Sequence, residues 1–332
     1  MSKEMRQFIL SRTPEGNLSA GDFELQTVAR PAPADGEVLV KARLISLDPA
    51  NRGWMSGRTY RDQVMPGDVM PGAVLGDVVE SNHPAFEVGD RVFGDLGWRE
   101  FAVSDTRELE KMPKTEPDSL VMSAVTSRTA YFGLLDIGKP QPGETLVVSG
   151  AAGATGSVAA QIGKLKGCRV VGLAGSDAKC DWLTGEAGLD AAINYRKGSL
   201  SKQLREACPK GIDIYFDNTA GDILNACLPQ MRMNGRIVCC GAVSSYDSGE
   251  IPPGPVGVPG LLIIMRLEMK GFIVFDFAKR FPEADAELAA WAAAGKLIIP
   301  EDILPGFESL PDALVGLLAG DNLGKRMVRV YP

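Results

Sequence analysis

Residues 146–158 read Leu-Val-Val-Ser-Gly-Ala-Ala-Gly-Ala-Thr-Gly-Ser-Val. An apolar, β-branched strand runs into three glycines at intervals of three and resumes as a helix. This pattern constrains the fold more than any other in the chain, because it requires a buried strand, a tight turn and a helix that starts at the strand's carboxyl end. Gly150 allows the turn, Gly153 lets the backbone approach a pyrophosphate, and Gly156 lets the helix lie near the sheet with its N–H groups facing phosphate. The stretch Ser157 to Leu165 continues as a helix, which is the context the motif needs. The competing reading is a glycine-rich turn of an α/β protein that binds nothing.

A chain of 332 residues suggests about two domains. With 45% hydrophobic and 23% charged residues it has ordinary globular composition. The net charge of −7 argues against nucleic acid or an anionic membrane as partner. The strongest apolar run, Leu261 to Met265, is cut off by Arg266 and Glu268, far short of the ~20 residues of a membrane span. The first residues, Met-Ser-Lys-Glu-Met-Arg-Gln, lack the apolar core of a secretory signal, so a cytoplasmic location is expected.

Residues 1–125 have the texture of a rolled β-domain, with strands expected over Glu37–Ile45, Gly76–Glu80 and Asp90–Gly94. A helix is expected over Ser127–Leu135, and from there strands and helices alternate. The strands are predicted at Thr145–Ser149, Arg169–Ala174, Ala191–Asn194, Ile212–Asp217, Arg236–Cys240 and Gly271–Phe275. Such alternation implies a parallel sheet covered on both faces, so residues 126–295 are expected to form a Rossmann domain. Residues 296–332 hold a helix at Leu310–Leu318 and a closing strand, Arg326–Tyr331, expected to rejoin the β-domain. Residues 244–260, rich in proline and glycine, are expected to lack regular structure at the carboxyl edge of the sheet, where ligands bind. A segment covering substrate is preferred there over a plain connector or an oligomer contact.

The chain has one histidine, His83, and none of its six cysteines (168, 180, 208, 227, 239, 240) stand in a C-x-x-C pair. Catalytic zinc takes at least one histidine in most sites, and structural zinc takes clustered cysteines, so no metal site is expected. His83 reads as an exposed loop residue, and Cys239 and Cys240 as small buried hydrophobes.

The second Rossmann strand discriminates between cofactors. NAD enzymes place Asp or Glu at its end for the ribose hydroxyl, whereas NADP needs room and positive charge. Here the strand ends Leu173-Ala174-Gly175-Ser176-Asp177-Ala178-Lys179. Ser176 suits the N-cap of the next helix, which puts Lys179 in a first turn where the dipole disfavours a cation. A 2′-phosphate explains that placement and a solvated surface lysine is the alternative; Asp177 lies past the acid's usual position. Tyr195, ending the third strand, is a further candidate for the same phosphate.

These segments together resemble the zinc-independent medium-chain dehydrogenase/reductase superfamily, in particular its NADPH-dependent alkenal, leukotriene, prostaglandin and curcumin reductase group. The resemblance rests on Leu47-Asp48-Pro49-Ala50-Asn51-Arg52-Gly53-Trp54-Met55, Glu87-Val88-Gly89-Asp90-Arg91-Val92, Thr129-Ala130-Tyr131-Phe132-Gly133-Leu134, the glycine turn, Gly175 to Lys179, Phe216-Asp217-Asn218, Cys240 to Tyr246, and Asn322-Leu323-Gly324-Lys325. It implies a GroES-like catalytic domain beside the Rossmann domain, NADP(H) as cofactor, an enone or alkenal as substrate, and a homodimer. It assigns Gly153, Ala154, Thr155 and Gly156 to the pyrophosphate and Lys179 and Tyr195 to the 2′-phosphate, with Ser176 a further cofactor-binding residue. Asn218, Cys240, Gly241, Ala242, Val243, Ser244, Phe272, Ile273, Val274 and Asn322 supply the remaining cofactor contacts. Tyr246 corresponds to the tyrosine beside the substrate carbonyl and the nicotinamide ribose.

The implied reaction is hydride transfer to the β-carbon of an α,β-unsaturated carbonyl, with hydroxyl donors rather than zinc stabilising the growing charge on oxygen. Asn51, Arg52 and Tyr60 are candidate substrate residues, with a structural role the preferred reading for Arg52 and Tyr60. The chain departs from the family pattern at Asn51, Trp54 and Ala124–Arg128, toward the substrate side. A quinone reductase of the same superfamily and a non-catalytic NADPH-binding scaffold are the alternative functions.

Overall fold

The computed structural model describes residues 3–57, 59–246, 254–255 and 257–331. In chain order the strands are β1 (Glu4–Leu10), β2 (Phe23–Ala29), β3 (Val38–Ser46), β4 (Ala73–Ser81), β5 (Arg91–Asp95), β6 (Phe101–Ser104) and β7 (Glu110–Lys111). Then come β8 (Thr145–Ser149), β9 (Arg169–Ala174), β10 (Ala191–Asn194), β11 (Ile212–Asp217), β12 (Met231–Cys239), β13 (Glu268–Gly271), β14 (Glu301–Pro305) and β15 (Lys325–Arg329). The chain divides into two units. The first holds residues up to 122, Tyr246, and 301 onward; the second holds 123–245 and the described residues up to 300. The expected divisions after 125 and 295 fall a few residues away from these. The first falls inside the helix Asp118–Phe132, whose Val121 and Met122 pack with Leu44, Leu75, Phe93 and Met327 of the first unit while the rest of the helix belongs to the second.

In the first unit a mostly antiparallel sheet runs β14-β15-β3-β4-β5-β7, with β6 also paired to β3, and β1 and β2 form a separate hairpin. β3 is buried along most of its length, with Leu44 in one apolar cluster and Ala42 and Ile45 in another. The core beside Ala42 and Ile45 is aromatic: Phe8 stacks on Phe307 at 5.4 Å between ring centres, and Trp98 lies 5.3 Å from Phe23. The expected return of the C-terminus is present, because β15 pairs antiparallel with β3 and parallel with β14.

In the second unit a parallel sheet has the order β10-β9-β8-β11-β12-β13. Every residue of β8 and β11 is buried, as expected for strands covered on both faces. The helix Ala154–Leu165 buries Val158, Ala159, Ala160 and Ile162. Four of the predicted strands, 145–149, 169–174, 191–194 and 212–217, coincide with β8 to β11.

Two expectations are corrected. The run Gly271–Phe275 is not a strand: the ladder with β12 is made by Glu268–Gly271, and Val274–Arg280 turns as a 3-10 helix. The stretch 244–260 is not irregular throughout, since Val243–Tyr246 and Val258–Met265 are helical; 247–253 and 256 lie outside the described residues.

Candidate functional site

Numbered within the second unit alone, the strand order is 3-2-1-4-5-6, and its winding reverses between β8 and β11. In open parallel sheets the crevice at the carboxyl ends of the two strands flanking such a reversal is where ligands bind. Those ends are Ser149-Gly150 and Asp217-Asn218. Gly150 has φ +57° and turns the chain, and Gly153 caps the helix Ala154–Leu165 without a side chain. A Cβ on Gly156 would lie 2.2 Å from the Gly150 carbonyl oxygen, so only glycine lets the helix sit this close to the turn. The first helical bond runs from the Ser157 amide to the Gly153 carbonyl at 2.9 Å. The amides of Ala154, Thr155 and Gly156 thus have no partner within the helix, as at any N-terminus, and point toward the crevice end.

Asp217 organises this edge, and sequence reasoning did not single it out. Its carboxylate is buried, and Oδ1 accepts from the Ser149 hydroxyl (3.1 Å), the Tyr215 hydroxyl (2.8 Å) and the Thr219 and Ala220 amides (2.9 and 2.8 Å). Its backbone carbonyl accepts from the amides of Cys240 and Gly241. Burial pushes the Tyr215 phenol well above its ordinary range, so it stays a donor to this carboxylate. Asn218 completes the lock by donating its side-chain amide to the Ser149 carbonyl at 2.7 Å and taking the Val243 amide on its own carbonyl. Ser244 bonds to Thr219 through its amide. The turn after β8, the turn after β11 and the segment Cys240–Ser244 are therefore one hydrogen-bonded assembly. The signal available in the sequence was an acid ending a strand of apolar residues.

At the other end of the crevice, Ser176 caps the helix Asp177–Gly185 and its hydroxyl accepts from the Lys179 amide at 3.4 Å. The Tyr195 amide donates to the Ala174 carbonyl, and its hydroxyl lies 2.9 Å from where a Cβ on Gly175 would be. Ser176, the Lys179 backbone and Tyr195 are thus near neighbours at the ends of β9 and β10.

The remaining candidates are carried by other segments of the chain. Phe272 packs beside Gly133 and edge-on to Phe277, Ile273 is partly exposed, and Val274 is buried at the start of its 3-10 turn. Asn322 belongs to the first unit, buried, and donates to the Gly324 carbonyl. Asn51 and Arg52 are buried too. Asn51 accepts from the Asp48 amide and donates to the Pro71 carbonyl, while Arg52 donates to the Gly16 carbonyl and the Ser56 hydroxyl. Both tie loops of the first unit together. Tyr60 is 52% exposed, accepts from the Trp54 indole N–H, and lies within electrostatic range of Tyr246, which ends the helix Val243–Tyr246. Desolvation of the Tyr60 hydroxyl pushes its pKa up, and Asp48 and Tyr246 add to the rise.

Burial pushes the thiols of Cys239 and Cys240 up to about 11 and about 12, so both are protonated at neutral pH. His83 sits in a turn, with its Nδ1 accepting from the Ala85 amide. Among the described residues no three of His, Cys, Asp and Glu gather where they could hold a metal, and no helix is long and apolar enough to cross a membrane.

Two family models match the chain: an N-terminal domain of oxidoreductase over residues 6–112 and a zinc-binding dehydrogenase over residues 154–290. A putative NADP-dependent oxidoreductase of Bacillus subtilis, YfmJ, is 44% identical over 99% of each chain. The NADPH-dependent curcumin reductase of Escherichia coli is 41% identical over 98% of this chain and 96% of its own. Among solved structures, that of CurA in complex with NADPH from Vibrio vulnificus is similar with a TM-score of 0.94 and 39% identity, covering 98% of this chain and 99% of the other.

Proposed function

This chain belongs to the zinc-independent medium-chain dehydrogenase/reductase superfamily and is an NADP-dependent oxidoreductase, and we propose that it saturates the carbon–carbon double bond of α,β-unsaturated aldehydes or ketones. The observation that supports this reading is the glycine cradle at the carboxyl edge of β8 together with the tyrosine that ends the segment bonded to it. The residues present fit a dinucleotide: the Gly156 position has no room for a Cβ, the Tyr195 hydroxyl approaches Gly175, and Lys179 lies in the first turn of the helix that Ser176 caps. The amides of Ala154, Thr155 and Gly156 would hold the pyrophosphate, Ser176, Lys179 and Tyr195 the 2′-phosphate end, and Asn218 with Cys240–Ser244 the other half. Phe272, Ile273, Val274 and Asn322 are proposed to supply further cofactor contacts. When bound, NADPH supplies the hydride that the β-carbon of the substrate receives.

The chain's own part is to hold the substrate carbonyl and to meet the charge that grows on its oxygen. Tyr246 is proposed to donate its hydroxyl hydrogen to that oxygen, and it or a water beside it delivers a proton to the α-carbon. One donor aimed at developing charge is worth about 2.7–4 kcal/mol, or roughly 10²–10³ in kcat. Tyr60, close to Tyr246, is proposed to line the same pocket. In steady-state assays with a medium-chain 2-alkenal, Tyr246→Phe should lower kcat by about that factor while the NADPH Kd stays as in the parent. An unchanged kcat removes Tyr246 from the role. Oxidation of NADPH by the parent protein with a simple quinone but with no alkenal or enone overturns the substrate class.

The partner proposed is a second copy of the chain. β13 is an edge strand whose residues are all exposed, and the preceding helix leaves Ile263 75% and Ile264 66% exposed. Antiparallel pairing of two β13 strands about Met269 sets Glu268 of each opposite Lys270 of the other, and it covers an edge that would otherwise invite aggregation. Sedimentation equilibrium should give a dimer that Met269→Lys weakens; a monomeric parent protein refutes it.

A further inference from the structure

The register between β9 and β10 places Asn194 across from Ala174, so the turn 194–197 lies against the segment Gly175–Lys179. A Cβ on Gly175 would lie 2.9 Å from the Tyr195 hydroxyl and 3.3 Å from Nε of Arg196. The close approach of these two side chains is therefore what glycine at 175 accommodates. Asn194 links both halves of the turn: its Oδ1 accepts from the Arg196 amide at 3.1 Å and its Nδ2 donates to Oδ1 of Asp177 at 2.8 Å. The other carboxylate oxygen of Asp177 is paired with the Lys197 ammonium.

An acid at this edge is what an NAD enzyme uses to accept the ribose hydroxyls, and the same charge repels a 2′-phosphate. Asp177 occupies the neighbourhood, yet both its oxygens are engaged by the turn. The pair is solvent-exposed on both sides, with side chains 60% and 67% accessible, so it adds little to folding stability. Its effect is on local charge. Asp177 and Lys197 offset each other in charge, and the Arg196 guanidinium beside Gly175 adds positive charge where a phosphate monoester of about −1.5 to −2 at neutral pH would sit. A guanidinium presents a planar fork suited to such an oxyanion, which a lysine does not.

We propose that the turn 194–197 sets the preference for NADPH over NADH: Arg196 binds the 2′-phosphate beside Tyr195, and Lys197 with Asn194 keeps Asp177 from opposing it. The proposal rests on the cofactor site assigned above and extends it to residues outside the glycine motif. It names a selecting residue, Arg196, and two positioning residues, Asn194 and Lys197.

Equilibrium binding by calorimetry tests it without turnover, using NADPH, NADH and adenosine 2′,5′-bisphosphate on the full chain. Arg196→Gln should weaken NADPH and the bisphosphate about 10- to 100-fold, the loss expected for a charge-assisted contact, and leave NADH within about twofold. Lys197→Met, which frees Asp177, should weaken NADPH severalfold without lowering the urea midpoint, and adding Asp177→Asn should restore the affinity. The proposal is overturned if Arg196→Gln binds NADPH as tightly as the parent, or if it loses NADH and NADPH equally. It is also overturned if the double variant stays as weak as Lys197→Met alone. Failure of the bisphosphate to displace NADPH from the parent protein marks a different error, in the location of the cofactor site itself, and removes the proposal with it.

Discussion

Replacing Gly156 by alanine tests the cofactor cradle at a single atom. The new Cβ would sit 2.2 Å from the Gly150 carbonyl oxygen, 2.8 Å from its carbon and 2.9 Å from Cα of Ala151. All three are backbone atoms of the turn and cannot rotate away. An unstrained contact needs about 3.5 Å, so the turn and the helix start must separate by roughly 1 Å. A displacement of ~1 Å in a positioning group costs on the order of 10²-fold, close to 2.7 kcal/mol of binding. Gly163 provides the control on the same helix. Its Cβ would meet Cδ2 of Leu146 at 2.4 Å and Cγ2 of Val170 at 3.1 Å, side chains of the sheet that lie away from the turn. Overpacking there should cost about 1–3 kcal/mol of stability, with NADPH affinity retained by the folded fraction. Quenching of tryptophan fluorescence gives the Kd, and urea titration gives the stability. Parent-like NADPH affinity in a well-folded Gly156→Ala protein refutes the cradle, as does an equal loss of affinity in both variants.

The aromatic core of the first unit predicts that Phe307→Ala, which empties a fully buried site stacked on Phe8, costs about 3–5 kcal/mol in urea unfolding; less than about 1 kcal/mol contradicts that packing. Lys325 is buried with its ammonium 2.5 Å from Asp48 and 3.3 Å from the Leu47 carbonyl, so Lys325→Met should cost about 3 kcal/mol, at the low end for a broken buried pair because Asp48 keeps some solvent. Acid should destabilise the second unit through Asp190. Burial opposes its ionisation, but the Lys164 ammonium at 2.8 Å and the Val170 amide at 2.7 Å outweigh that and hold its pKa below the usual range. Its contribution is therefore complete above the unfolded value of about 4 and is lost as pH falls through the lower folded value. Urea midpoints between pH 7 and pH 3 should drop less steeply for Asp190→Asn, and parallel curves refute the assignment.

Much of the second unit was legible because strands buried on both faces must be apolar along their whole length. Val147-Val148, Val170-Val171 and Ile214-Tyr215-Phe216 announce themselves for that reason. β13 was misplaced by the same rule. Glu268-Met269-Lys270-Gly271 is an edge strand, and edges carry charge, so the more apolar Gly271–Phe275 outcompeted it. The helix Val258–Met265 was hidden behind the proline- and glycine-rich run that precedes it. In the site, the glycine turn was readable since strand, turn and helix are contiguous in sequence. The hub at Asp217 was not, because its meaning depends on Ser149 and Cys240 arriving from separate strands. Arg196 stayed out of view in the same way, since only the pairing of β10 with β9 sets it beside Gly175. Asn51 and Arg52 were readable as unusual and silent about why: their partners, Pro71 and Gly16, lie in loops with no pattern of their own.

The position of β15 between β14 and β3 bears on the order in which the molecule is made. Until residues 307–329 are made, β3 has β4 and β6 but lacks its third antiparallel neighbour, β15, and the aromatic cluster lacks Phe307, so β3 is made long before its sheet can be completed. The second unit is drawn almost wholly from residues 123–300 and has its sheet complete before then. A translating chain can therefore acquire its nucleotide-binding half while the other half is still waiting for its closing strand. Truncations short of Lys325 should leave a folded Rossmann unit attached to an unfinished partner, with chaperones meeting the N-terminal strands rather than the glycine turn.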